Sequence, residues 1–113
     1  HLEQLMPKLD IIPFQSKFQY MATLHQNIDG KTIYLKGLLE EVLPCVQQMI
    51  DSTGNLVSLD SQLIKLEAES MGKEGLGVLA FAKKQASTEK TSLTRQDLKS
   101  GLLFLGLQGV HYS

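Results

Sequence analysis

The sequence predicts an α+β domain with a mainly antiparallel sheet flanked by helices. Three observations carry this. Two alternating runs, residues 19–26 and 31–37, flank an Asp29-Gly30 pair, the strongest short-range hairpin signal. Two stretches with apolar residues at three- and four-residue spacing follow. Two later apolar runs, 76–84 and 101–110, have strand length. Strand hairpins mixed with helical segments point to segregated helices on an antiparallel sheet.

Taken in order, residues 1–8 read as a frayed helix end closed by Pro7. LDIIPF (9–14) is a short strand that accepts a proline, which suits an edge or a bend. QYMATLHQ (19–26) puts Met21, Thr23 and His25 on one side and Tyr20, Ala22 and Leu24 on the other. KTIYLKG (31–37) returns antiparallel to it, because so short a link permits little else. A helix then takes Leu38, Leu39, Val42, Leu43, Val46 and Met49 as its apolar positions. Glu40 and Glu41 suit the dipole at its start, and Pro44 kinks or splits it. DSTGNLVSLD (51–60) is a loop with room for a brief strand. A second helix starts at an Asp60 or Ser58 cap, carries Leu63, Leu66 and Met71 on its apolar face, and ends at Gly75. LGVLAFAKK (76–84) is a buried strand and 85–97 a polar surface loop. Thr94 caps a short helix over 95–100, and GLLFLGLQGV (101–110) is the last strand.

The 113 residues suffice for one domain with one core. With 11 basic and 12 acidic side chains the net charge is -1, which argues against a non-specific nucleic-acid binder and gives no basic surface for a membrane. One cysteine, Cys45, excludes an internal disulfide and any multi-cysteine metal site, and suits a reducing compartment. No apolar run approaches the ~18 residues that span a bilayer, the longest being Leu102 to Leu107. The opening HLEQLMPKLD is no secretory signal and lacks an initiating methionine, so the chain reads as a piece of a longer product.

Most chemistry-bearing side chains have a structural reading. His1, His25 and His111 lack metal-ligand spacing, and Cys45 reads as a small core hydrophobe. Glu40 and Glu41 point about 100° apart on a helix and form no carboxylate pair. Gly101, Gly106 and Gly109 match no phosphate-loop fingerprint. No catalytic and no metal residues are assigned. What remains is the Lys36-Gly37 junction, together with Phe14 and the FQSKFQYM segment. An aromatic ring can stack on a base, a lysine offers a point charge to phosphate, and a glycine admits close approach to the backbone.

IIPFQSKFQYMATLH, YLKGLLEEVLPC, EGLGVLAFAKK and GLLFLGLQGV, in that order, resemble the nucleotide-binding (N) domain of P-type cation-transporting ATPases, most of all the calcium-pump-like branch. Such domains carry an F-x-S-x-x-K-x-M segment, a K-G-A-P-E segment opening a helix, and a G-L-R-V-L-A-like strand. The resemblance runs from about Leu9 to Val110 and implies a single, partial nucleotide-binding domain over 1–113, with 111–113 a non-native tail. It implies that Phe14 packs on adenine, that Ser16 and Met21 complete that segment, and that Lys36 and Gly37 line the adenosine pocket; Glu40 matches the glutamate of the second segment. The implied ligand is ATP. Mg2+ would belong to the intact pump rather than to this piece. The implied partners are the phosphorylation and transmembrane domains of a membrane-embedded parent whose cytoplasmic part this would be, without direct membrane contact.

The departures are specific. Gln19 replaces the second lysine of the first segment, Leu38-Leu39 replace A-P, and Gly77 stands where arginine is expected. Losing two charge-assisted contacts weakens nucleotide binding. The aspartate-bearing D-K-T-G-T segment is absent, so the piece is not catalytic by itself. Two other readings stand beside an ATP-binding domain of a cation pump. One is the same scaffold acting as a structural or interaction module with binding lost. The other is an unrelated α+β interaction domain.

Overall fold

The computed structural model describes residues 8–13, 19–28 and 30–111, with Lys8, Asn27, Leu76 and His111 described by backbone alone. Among these, seven strands form one mixed sheet in the order β1-β2-β3-β6-β7-β4-β5. The strands are β1 (Lys8–Ile12), β2 (Tyr20–Asn27), β3 (Gly30–Leu38), β4 (Val46–Ile50), β5 (Leu56–Ser58), β6 (Leu76–Ala86) and β7 (Leu102–His111). All pairings are antiparallel except β4 with β7, which is parallel. Helix α1 (Leu39–Val42) and helix α2 (Ser61–Lys73) join them, with 3-10 turns at Leu43–Cys45 and Arg95–Leu98.

The hairpin forms as its turn signal demands: β2 and β3 pair from Tyr20↔Gly37 to Asn27↔Gly30. Asp29, the other half of that signal, lies outside the described residues, as do positions 14–18 and residues 1–7 of the helix end expected over 1–8; the last residue of that expected helix end, Lys8, instead opens β1. β1 is an edge strand, which accounts for its tolerance of Pro13 just beyond it. His111 pairs in register with Leu76.

Two sequence expectations are corrected. The first helix does not reach Met49: it stops at Val42, passes through a 3-10 turn containing Pro44, and becomes β4 at Val46. Proline has no N–H to continue the helical ladder, and its ring crowds the preceding turn. Val46 is buried from a strand, paired with Leu102, so its helical spacing from Val42 was coincidental. The second correction concerns α2. Asp60 caps it by accepting the Leu63 N–H at 3.1 Å, and Gly75 follows it in the left-handed conformation, φ 81°. Its buried residue is Ile64, with Ala68 and Met71 half-buried on the same 4/3-spaced face, whereas Leu63 and Leu66 are exposed.

One face of the sheet is the core. Ala22 and Leu24, Ile33 and Leu35, Ala80 and Ala82, and Leu102 and Phe104 all point there, against Val42, Val46, Ile64 and Leu98. The loop 87–101 closes one end of this core, and lysines anchor it. Lys31 is buried and donates to the Lys90 carbonyl. Lys84 donates to the carbonyls of Asp97 at 2.8 Å and Ser100 at 3.0 Å. Thr94 and Asp97 form a capping box, as its threonine suggested. Asp10 on β1 accepts the Leu93 N–H at 2.6 Å across 83 residues of sequence.

These anchors predict acid sensitivity. The Leu93 and Ile11 N–H groups hold the Asp10 carboxyl below its usual value. Burial pushes Asp97 up. The hydrogen-bonded Lys90 ammonium, at 2.9 Å, and the Thr94 N–H and hydroxyl outweigh it and hold Asp97 low. The unfolded carboxylates titrate near about 3.9, so below that the unfolded chain binds more protons than the folded one. Stability contributed by both groups is present above the unfolded value and is lost as pH falls through the lowered folded values. Urea midpoints should therefore drop between roughly pH 5 and pH 3, and Asp10→Asn with Asp97→Asn should flatten that drop. A double variant with an undiminished acid drop would show that these carboxylates are not the sensitive groups.

Candidate functional site

The other face of the sheet carries the site. Side chains alternate across a strand, so burying Ala22, Leu24, Ile33 and Leu35 turns Met21, Thr23, Tyr34 and Lys36 outward. The register sets them in cross-strand pairs: Met21↔Lys36, Thr23↔Tyr34, and Lys36↔Phe81 on β6. These side chains line a groove of about 190 Å³ whose last wall is Leu105 on β7. Leu105 reaches it through a bulge, since Phe81 pairs with Gly106 while Ala82 pairs with Phe104. The extra residue on β7 aims Leu105 at the groove.

The lining is largely apolar, and Lys36 is its cation among the described residues. Lys36 is exposed, and its Nζ stands 5.7 Å from the centroid of the Phe81 ring, within cation–π range. Polar groups gather around Thr23. Its hydroxyl shares a 2.8 Å hydrogen bond with His25 Nε2, and the His25 ring meets Tyr34 edge-on at 5.4 Å. The groove thus offers an apolar wall of Met21, Phe81 and Leu105, one ammonium, and one hydroxyl-and-imidazole corner. It suits a flat, largely apolar ring system bearing an anion.

Gly37 sets this geometry. It is buried opposite Tyr20, and a Cβ there would lie 2.5 Å from Tyr20 Cβ, 2.6 Å from the Gln19 carbonyl oxygen and 2.7 Å from Tyr20 Cα. The Leu38 N–H donates to that same Gln19 carbonyl at 3.1 Å. Gln19 itself is left-handed, φ 58°, an uncommon state for a residue with a side chain. The entry to β2 is therefore seated on Gly37, and Met21 follows it beside Lys36. On the opposite side Arg95 donates to the Tyr20 hydroxyl at 2.5 Å and lies over its ring at 5.4 Å, fixing the same entry from the core loop.

Of the residues expected at the site, Gln19, Met21, Lys36 and Gly37 are brought together at the start of β2 and the end of β3. Phe14 and Ser16 lie outside the described residues. Gly77 is buried on β6, paired with Val110, and does not line the groove. It stands four residues before Phe81, roughly 13 Å along a strand. Sequence reasoning missed Tyr34, Phe81 and Leu105. Tyr34 was readable, because it shares the alternation of Lys36. Phe81 sits in an unbroken apolar run that hides which face is which, and no sequence signal marks the bulge at Leu105. Cys45 is half-buried, and burial with the nearby Glu41 charge pushes its thiol up, away from thiolate chemistry.

The sequence model of the family described as P-type ATPase, cytoplasmic domain N, matches residues 1–111. Cation-transporting ATPase pma1 of Synechocystis sp. is 47% identical over 104 residues, covering 92% of this chain and 11% of that protein. Calcium-transporting ATPase 1 of Saccharomyces cerevisiae is 36% identical over 116 residues, covering 97% of this chain and 12% of its own length. Sodium/potassium exporting P-type ATPase cta3 of Schizosaccharomyces pombe is 33% identical over 102 residues, covering 88% of this chain and 10% of that protein. The chain thus spans about a tenth of the curated relatives it matches, and those relatives are named for different cations. No described helix is long and apolar enough to cross a membrane. With the family matched over residues 1–111 and a relative this similar, the chain belongs to the P-type ATPase cytoplasmic N-domain family.

Proposed function

We propose that this domain binds ATP by its adenosine end in the groove between β2, β3 and β6, and holds it for phosphoryl transfer to an aspartate in another domain of a cation pump. The observation that carries this reading is the cross-strand pair Met21–Lys36 beside Phe81: an apolar wall with one ammonium at its rim. Phe14 would supply a stacking ring and Ser16 a hydroxyl, and Gln19 would donate a neutral hydrogen bond where a cation would bind more strongly. The domain's contribution is positioning. Holding the reacting groups in line can supply a large part of a phosphoryl-transfer barrier reduction.

The described residues include no group of three or more His, Cys, Asp or Glu that could hold a metal, so no residue here is assigned to magnesium. In this reading the ion travels with the phosphates and meets its protein ligands on the phosphorylation domain. The transmembrane part of the parent would hold the cation.

A second reading, a scaffold that has lost useful nucleotide binding, is favoured by one observation. Lys36 is the one cation lining the groove among the described residues, and Gly77 is a buried glycine. The two readings separate on affinity. The chain should bind ATP with a dissociation constant near the millimolar range, about 4 kcal/mol, and adenosine only slightly more weakly. Titration calorimetry or ligand-observed NMR measures it. A constant in the low micromolar range would show that the missing cations matter little, and no saturation at high millimolar ATP would favour the scaffold.

A further inference from the structure

We propose that Phe81 is a positioning residue for the nucleotide, acting through Lys36 and through the wall it shares with Leu105; this rests on the nucleotide-binding reading above. Lys36 is exposed, and a lysine ammonium on a four-carbon stem samples many positions when nothing holds it. Here the sheet register sets it directly across from Phe81, with Nζ 5.7 Å from the ring centroid. The negative face of an aromatic ring attracts an ammonium, so the ring narrows the range over which the charge wanders. Among the described residues, no carboxylate lines the groove to compete for Lys36. The ring steers the cation without neutralising it, and leaves it available to a phosphate or to a ring nitrogen of the base.

The β7 bulge explains why Phe81 is open to the groove. Its partner on β7 is Gly106, which presents no side chain over the ring. The additional residue, Leu105, is placed beside it and lines the same cavity. A regular strand would shift this register and set a different side chain against Phe81. The bulge and the aromatic residue therefore make one wall, and that wall faces Met21 across the width of β3.

The test uses the chain with Phe81→Leu and Phe81→Trp, ATP as ligand, and the lysine side-chain NMR signals as a second readout. In the unliganded chain the Lys36 ε-methylene signal should be displaced upfield by the ring current of Phe81. Phe81→Leu should abolish that displacement and weaken ATP binding roughly two- to five-fold, and Phe81→Trp should retain both. ATP binding by Phe81→Leu equal to that of the unsubstituted chain would overturn the inference. So would weakened binding with the Lys36 signal unmoved, since that is the signature of a packing role alone. Absence of ATP binding by the unsubstituted chain would overturn the nucleotide reading itself, and is distinguished from the other outcomes by its appearance before any substitution.

Discussion

Gly37→Ala is expected to destabilise the domain by about 3 kcal/mol, the upper end of the usual overpacking penalty. The added methyl carbon would lie 2.5 Å from Tyr20 Cβ, and its other close neighbours are backbone atoms of Gln19 and Tyr20. Backbone cannot swing aside as a flexible side chain can. Relief requires moving the whole entry to β2, and that entry is held from two directions, by the Leu38 N–H on the Gln19 carbonyl and by Arg95 on the Tyr20 hydroxyl. The conflict is steric, because the backbone at Gly37 is not in the left-handed region. A loss of this size lowers the urea midpoint by roughly 1–3 M for a domain with an ordinary denaturant slope. Gly72→Ala is the control. It lies near the end of α2 with nothing within 4 Å of its Cβ, so it should be neutral or stabilising by up to about 1 kcal/mol. Equal stability of the Gly37→Ala variant and the parent would show that β2 and β3 do not approach this closely. The same variant should lose ATP affinity, since any outward shift of Tyr20 carries Met21 away from Lys36.

Leu24→Ala should destabilise by roughly 2–5 kcal/mol without changing ATP affinity, when binding is measured well below the melting transition. Leu24 is fully buried, at 0% exposure, between the neighbouring strands: its backbone pairs with Asp10 on one side and Ile33 on the other. Removing its side chain deletes apolar contact and leaves a cavity that the surrounding strands cannot collapse into without breaking register. Met21 and Thr23, on the same strand, point to the opposite face and line the groove. One strand thus divides its labour by the two-residue period: even positions hold the fold and odd positions face the groove. A Leu24→Ala domain that is folded but has lost ATP binding would contradict that division. Against a total stability of 5–15 kcal/mol for ordinary domains, both substitutions remove a large fraction of what holds the fold.

The β2–β3 hairpin was legible because alternation and the Asp29-Gly30 signal point the same way. So were the Asp60 cap, the Gly75 stop and the Thr94 cap, each of which satisfies a backbone group locally. The part that failed is non-local. VQQMI reads as a continuing helix until β7 is placed beside it, and only then does Val46 become a strand residue paired with Leu102. Likewise Leu63 and Leu66 look like core positions by type, yet the face of α2 that meets β6 is the one carrying Ile64. Tertiary partners decide such cases, and they are not written in a short window of sequence. At the site, Met21, Lys36 and Gly37 could be named because motif order marks them, and the structure unites them. Phe81 and Leu105 could not, because their place depends on strand register and on a one-residue bulge.

In the proposed mode of binding, ATP sits on the outer face of the sheet, over β2, β3 and β6. Residue-resolved NMR of the chain during titration with ATP, with adenosine as a parallel series, tests it most directly. The largest shifts are expected at Met21, Lys36 and Phe81, shared by both ligands, with Leu24, Leu35 and the exposed face of α2 little changed. Saturable shifts confined to α2 or to β4 and β5, with Met21, Lys36 and Phe81 unmoved, would contradict it.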